Sequence, residues 1–123
     1  MLPFQDKHIL IVEDNSTNQA LTVELLHELG CKTYLAAHGK IALQQVAEYP
    51  IELIFMDCHM PEMDGFAATR AIRAKEQSEQ RAERPIIALT AMVLEQDKGH
   101  CLAAGMNDFL AKPINLMILQ DML

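Results

Sequence analysis

Leu53-Ile54-Phe55-Met56-Asp57-Cys58-His59-Met60-Pro61-Glu62-Met63-Asp64-Gly65 decides the fold, because a short apolar run ends there in a single carboxylate. Leu53 to Met56 is too short for a helix and shows no polar alternation, the pattern of a strand covered on both faces in a parallel sheet. Asp57 then falls at the carboxyl end of that strand, and open α/β sheets bind their ligands beyond the carboxyl ends of their strands.

A second run, Ile9-Leu10-Ile11-Val12, also ends in acids, Glu13 and Asp14. Two parallel strands would thus bring three carboxylates to one edge. Such groups repel one another unless a cation neutralises them, and an oxygen-only, incomplete ligand shell favours Mg2+ with bound water. Further on, Pro85-Ile86-Ile87-Ala88-Leu89 leads into Thr90-Ala91, and Phe109-Leu110-Ala111 into Lys112-Pro113. The same edge gains a hydroxyl and an ammonium. A metal-bound carboxylate, a hydroxyl donor and a lysine are the parts needed to hold a phosphoryl group, with Asp57 as its acceptor.

The ordered set Glu13-Asp14, Asp57 with Met60-Pro61 and Asp64-Gly65, Thr90-Ala91 and Lys112-Pro113 resembles the receiver domain of two-component response regulators over essentially the whole chain. The wording Val12-Glu13-Asp14-Asn15 with Asn18-Gln19, and Met56 through Phe66, is most similar to receivers attached to hybrid histidine kinases. The resemblance implies a flavodoxin-like α/β fold: a doubly wound, five-stranded parallel sheet of order 2-1-3-4-5 with five helices on both faces. Strands alternating with helices point to the same parallel architecture, with right-handed crossovers.

In chain order, residues 1–7 read as a lead-in or linker end and 8–123 as the domain. The first strand spans His8 to Val12. Ser16 with Gln19 has the form of a capping box, and Leu21, Leu25 and Leu29 repeat at helical spacing until Gly30. Lys32 to Ala36 is a more polar strand. Gly39 opens a helix with Leu43, Val46 and Ala47 inward, stopped by Pro50. After the Pro61 to Gly65 turn, Phe66, Thr69 and Ile72 mark a third helix that frays into a solvated charged segment, Lys75 to Arg84. Leu94 to Ala104 is the fourth helix, Asp108 to Ala111 the fifth strand, and a last helix begins near Asn115 and looks truncated at Leu123.

The resemblance also assigns roles. Asp14 is implied as a direct Mg2+ ligand, Glu13 as a ligand through water, Asp57 as ligand and nucleophile, and His59 as the donor of a backbone carbonyl. Thr90 would hydrogen-bond a phosphoryl oxygen beside the small Ala91. Lys112 would pair with the phosphoryl group and Asp57, aimed inward by Pro113, which matches the family's cis-proline. Phe109 occupies the place of the switch aromatic. The output surface would be helix four, strand five and helix five, able to pair into a dimer when phosphorylated. The implied donor is a histidine kinase or a histidine phosphotransfer domain.

Composition narrows the alternatives. A chain of 123 residues fits one domain, and a net charge of -7 lacks the basic surface that nonspecific nucleic-acid binding needs. Three cysteines without CxxC spacing argue against a disulfide framework or a zinc site and for a reducing compartment. No apolar run approaches the roughly 18 residues of a membrane span, so a cytoplasmic domain without membrane contact is expected, whatever a parent protein does. Two other functions compete. One is a Mg2+-dependent phosphatase of the haloacid-dehalogenase type, which places a second Asp where His59 stands. The other is a degenerate receiver serving only as a protein-binding scaffold.

Overall fold

The computed structural model describes residues 6–58, 65–90 and 95–111, apart from the side chains of Thr90, residues 95–98 and Ala111. Within them strands and helices alternate: β1 (His8–Val12), α1 (Ser16–Glu28), β2 (Lys32–Ala36), α2 (Gly39–Glu48), β3 (Leu53–Asp57), α3 (Gly65–Ser78), β4 (Ile86–Thr90), α4 (Glu95–Ala104) and β5 (Asp108–Ala111). The strands form one parallel sheet of order β2-β1-β3-β4-β5. That is the expected flavodoxin-like order. The helix expected from Asn115 lies outside the described residues.

β3 is central, and all five of its residues are buried. Its side chains alternate between two cores, because successive residues of a strand face opposite ways. Ile54 and Met56 join Leu10, Val12, Ile86 and Ala88 beneath Val46 of α2 and Ile72 of α3. Leu53 and Phe55 join Ile9, Ile11, Ile87 and Leu89 beneath Leu26 of α1. In the edge strand β2 only Ala36 is buried, in keeping with its more polar sequence.

Helix ends follow local chemistry. Pro50 holds Tyr49 extended (φ -121°, ψ 154°) and so stops α2. Gly30, at φ 82°, closes α1 in a Schellman motif, with its N–H on the His27 carbonyl (3.0 Å) and that of Cys31 on Leu26 (3.1 Å). The residues before β1 are tied in as well: Asp6 N–H donates to Gly30 (2.8 Å) and Lys7 accepts from Lys32 (2.8 Å).

Four details depart from the sequence pattern. The cap of α1 is Asn15, one residue before the expected Ser16: its side chain accepts from the Asn18 N–H at 3.0 Å. The buried stripe of α1 is Thr22, Leu26 and Leu29, while Leu21 is 48% exposed. Each step of four residues turns about 40° round a 3.6-residue helix, so Leu21 lies well off the face centred on Thr22 and Leu26, which Leu29 reaches. On α2, Ala42 and Val46 are buried and Ala47 is exposed.

The largest departure concerns the charged segment Lys75 to Arg84, which begins within α3. Glu76 and Arg84 are buried, together with Arg73. Glu76 accepts from Arg73 Nη1 (2.8 Å), Arg84 Nη1 (3.0 Å) and the Arg84 backbone N–H (2.9 Å). Arg84 Nε reaches the Ile51 carbonyl (3.0 Å), and Arg73 Nη1 that of Arg84 (2.7 Å). Arg73 also donates to the Gly105 carbonyl through Nε (2.9 Å) and to Asn107 Oδ1 through Nη2 (2.6 Å). This Arg-Glu-Arg cluster joins the segments entering β3, β4 and β5 at the amino ends of the strands. Charge alone reads as solvated surface; pairing allows it to be buried.

Candidate functional site

The site lies at the opposite, carboxyl edge of the sheet. In the β1–β3 register Val12 is beside Met56, so Glu13 and Asp57 follow one step further along neighbouring strands. Each flank is pinned. The Glu13 N–H donates to Ala36 at the end of β2 (3.0 Å), and the Cys58 N–H to Leu89 of β4 (3.1 Å). As a result carboxylate oxygens of Glu13, Asp14 and Asp57 all lie within 4.8 Å of one another.

The three acids differ in exposure. Glu13 and Asp57 are buried, at 1% and 3% exposed, whereas Asp14 is open to solvent. The start of α1 organises Glu13: its Oε1 accepts the Asn15 N–H at 3.2 Å, and its carbonyl accepts the side-chain amide of Gln19. In the sequence Gln19 reads as part of a capping box and Asn15 only as part of the family-like wording; both hold Glu13 of the cluster.

The start of α3 forms the floor behind Asp57. Gly65 donates its N–H to the Cys58 carbonyl (3.2 Å), and its own carbonyl accepts the Thr69 hydroxyl (2.7 Å). A Cβ on Gly65 would overlap the Asp57 carbonyl and come to 3.0 Å from Cys58 Cα. The side-chain-free residue lets α3 abut the strand end.

β4 and β5 finish at the same edge, with Thr90 paired to Ala111. Phe109 pairs with Ala88 and packs partly buried against the core beneath α2 and α3, its N–H on Asp108 Oδ1 (2.8 Å). Glu13, Asp14 and Asp57 are therefore brought together, with Gly65 against Asp57. His59, Pro61, Ala91, Lys112 and Pro113 lie outside the described residues, as does the side chain of Thr90.

The model of the response regulator receiver domain matches residues 9–123, which include this edge. The chain belongs to that family. Receiver domains of hybrid kinases supply its curated relatives. It is 46% identical over 114 residues to hybrid signal transduction histidine kinase B of Dictyostelium discoideum, covering 86% of this chain and 6% of the relative. To the hybrid signal transduction protein dokA of the same organism it is 40% identical over 117 residues, covering 95% and 7%. The chain thus spans less than a tenth of the length of these two relatives.

Solved receiver structures agree in fold. The receiver domain of a Saccharomyces cerevisiae response regulator, crystallised with a histidine phosphotransfer signalling protein, superposes with a TM-score of 0.91 at 36% identity, covering 97% of this chain and 87% of that one. The receiver domain of a Pseudomonas aeruginosa sensor histidine kinase, with a magnesium ion coordinated in its active-site cleft, has a TM-score of 0.83 at 44% identity, covering 95% and 93%. As a receiver domain the chain is a module of two-component phosphorelay signalling, which sets aside the haloacid-dehalogenase alternative. No helix among its described residues is long and apolar enough to cross a membrane.

Proposed function

We propose that this receiver domain is a phosphoacceptor in a phosphorelay, with Asp57 taking a phosphoryl group from a phosphohistidine. The observation that carries the reading is the cluster of Glu13, Asp14 and Asp57 at the carboxyl edge of the sheet. A neutral or dispersed set of side chains there would favour the scaffold reading instead.

The donor set fits Mg2+. Ligands on opposite sides of Mg2+ are about 4.2 Å apart, twice its usual 2.0–2.1 Å bond to oxygen. Carboxylate oxygens within 4.8 Å of one another can therefore share one ion, some directly and one through water. Asp14 and Asp57 are the direct ligands in this reading, Glu13 the indirect one, and the His59 carbonyl completes the protein's share. The ion would neutralise the acids and the charge building on the phosphoryl oxygens.

One Asp57 oxygen attacks phosphorus in line. An O–P bond forms as the P–N bond of the phosphohistidine breaks, and the departing imidazole keeps the electron pair and takes up a proton from solvent. Thr90 and Lys112 bind phosphoryl oxygens, and Ala91 leaves them room. Lys112, aimed by Pro113, also pairs with Asp57. Pro61 and Gly65 shape the turn that carries the His59 carbonyl, and the imidazole of His59 influences water access to the acyl phosphate.

The phosphohistidine belongs to a histidine kinase or a phosphotransfer domain; the yeast receiver crystallised with such a protein supports that class of partner. The chain modifies itself and turns over no external substrate. Its output is a change in the surface of α4, β5 and the helix expected after it, with Phe109 following Thr90, and that surface is where phosphorylated copies would pair.

Intact-mass spectrometry after incubation with acetyl phosphate and Mg2+ tests this. One added phosphoryl group, dependent on Mg2+ and absent from Asp57→Asn, is the expected result. No adduct on a wild-type protein shown separately to bind Mg2+ would leave the scaffold reading.

A further inference from the structure

Hydrogen bonds reach Glu13 at its N–H, its carboxylate and its carbonyl, and the last of these acts on Asp14 as well. The Ala36 carbonyl takes the Glu13 N–H (3.0 Å), and the Asn15 N–H donates to Glu13 Oε1 (3.2 Å). The carbonyl is held by a helix side chain, Gln19, whose Nε2 donates to it. That carbonyl belongs to the peptide unit joining Glu13 to Asp14. A peptide unit is planar, so fixing its oxygen fixes the direction in which the Asp14 Cα leaves it.

Gln19 is itself well placed to hold this unit. Its N–H donates to the Asn15 carbonyl (3.0 Å) in the first turn of α1, and Asn15 Oδ1 caps that turn through the Asn18 N–H (3.0 Å). The side chain thus reaches back from a capped helix to the loop ahead of it. Asp14 depends on this contact most. It is exposed, so its direction comes from the backbone rather than from packing.

We propose that Gln19 is a positioning residue of the metal site: through the Glu13 carbonyl it sets how the Asp14 carboxylate is aimed relative to those of Glu13 and Asp57, and with it the affinity for Mg2+. The inference rests on the Mg2+ reading of the acidic cluster. Without the amide, the Glu13 carbonyl turns toward water, because a backbone acceptor is not left unpaired, and Asp14 swings with the same peptide unit. Glu13 keeps its bonds to Ala36 and Asn15. The ligand set is loosened at one member and otherwise intact.

Mg2+ titrations followed by amide NMR on wild type, Gln19→Met and Ala20→Gly test this. Methionine keeps the length and helix propensity of glutamine but donates no hydrogen bond. Ala20 is exposed on α1 beside Gln19, and glycine there loosens the helix while the Gln19 amide remains. Gln19→Met is expected to weaken Mg2+ binding about tenfold, the lower end of what losing a group that orients a metal ligand does, because Glu13 is still held elsewhere. Ala20→Gly is expected to bind Mg2+ as wild type does. Equal affinity in Gln19→Met and wild type would overturn the proposal. So would an equal loss in Ala20→Gly, which would assign the effect to helix stability. A wild type that binds no Mg2+ would instead sink the reading of the cluster as a metal site, and this inference with it.

Discussion

Gly65 and Asp57 are in backbone contact across the end of β3, leaving no room for a methyl group between the first residue of α3 and the Asp57 carbonyl. The obstacle is main chain, so no rotamer change relieves it. Gly65→Ala should therefore push α3 away from β3 and cost about 1–3 kcal/mol, the usual penalty of overpacking. Urea denaturation gives the stability, and the rate of acetyl phosphate labelling reports the displaced Asp57. A variant with unchanged midpoint and rate would mean that α3 shifts freely.

The acidic cluster makes an opposite prediction. Without a cation, three carboxylates within 4.8 Å repel one another. Replacing the exposed member, Asp14→Asn, should stabilise the metal-free protein by about 0.5 kcal/mol at low salt, a small gain because solvent screens it. The gain should fade as salt is raised. Mg2+ should then stabilise the variant less than wild type, for which saturation at 100 times Kd gives about 2.7 kcal/mol. Thermal melts with and without Mg2+ and NaCl measure both effects.

The sheet and the cluster were readable in the sequence because each rests on a local signal. Ile9 to Val12 and Leu53 to Met56 are short apolar runs ending in acids, and the order β2-β1-β3-β4-β5 puts those ends side by side. The Arg73–Glu76–Arg84 cluster was not readable. Its members come from the end of α3 and the segment before β4, and a charge run carries no mark of whether a partner will bury it. The stripe of α1 misled for a related reason: Thr22 is polar by composition yet buried by position, while Leu21 is the reverse.

That buried cluster should be sensitive to loss of its buried acid, Glu76. Glu76→Gln removes the charge shared by Arg73 and Arg84 and leaves Glu83, 67% exposed at its side chain, as the remaining carboxylate on Arg73. A destabilisation of about 3–5 kcal/mol is expected, typical of breaking one partner from a buried ion pair. Equilibrium unfolding in urea measures it, and a loss below about 1 kcal/mol would mark the pair as solvent-screened.

Cys31 gives the alkaline limit. Burial raises its thiol above the ordinary value of 9.0, more than the positive charge of Lys7 lowers it. The folded protein thus holds the thiol proton more tightly than the unfolded chain. Its contribution to stability is complete below the unfolded value and is lost as pH climbs past 9.0 through the higher folded one. Unfolding midpoints followed upward from neutral pH should fall more steeply for wild type than for Cys31→Ala. Equal slopes would assign the alkaline loss to other groups.

The place of β3 has a consequence for how the chain is made. β1 and β2 are complete early in synthesis, yet β1 takes β3 as its other neighbour, and β3 is made only after α2. Until β3 emerges and docks, the inner edge of β1 offers unpaired backbone and a fully apolar face to any other strand nearby. The residue that completes the acidic cluster is the last one of the strand that closes this edge. In a newborn chain, completion of the acidic cluster and the end of that exposure arrive in the same event.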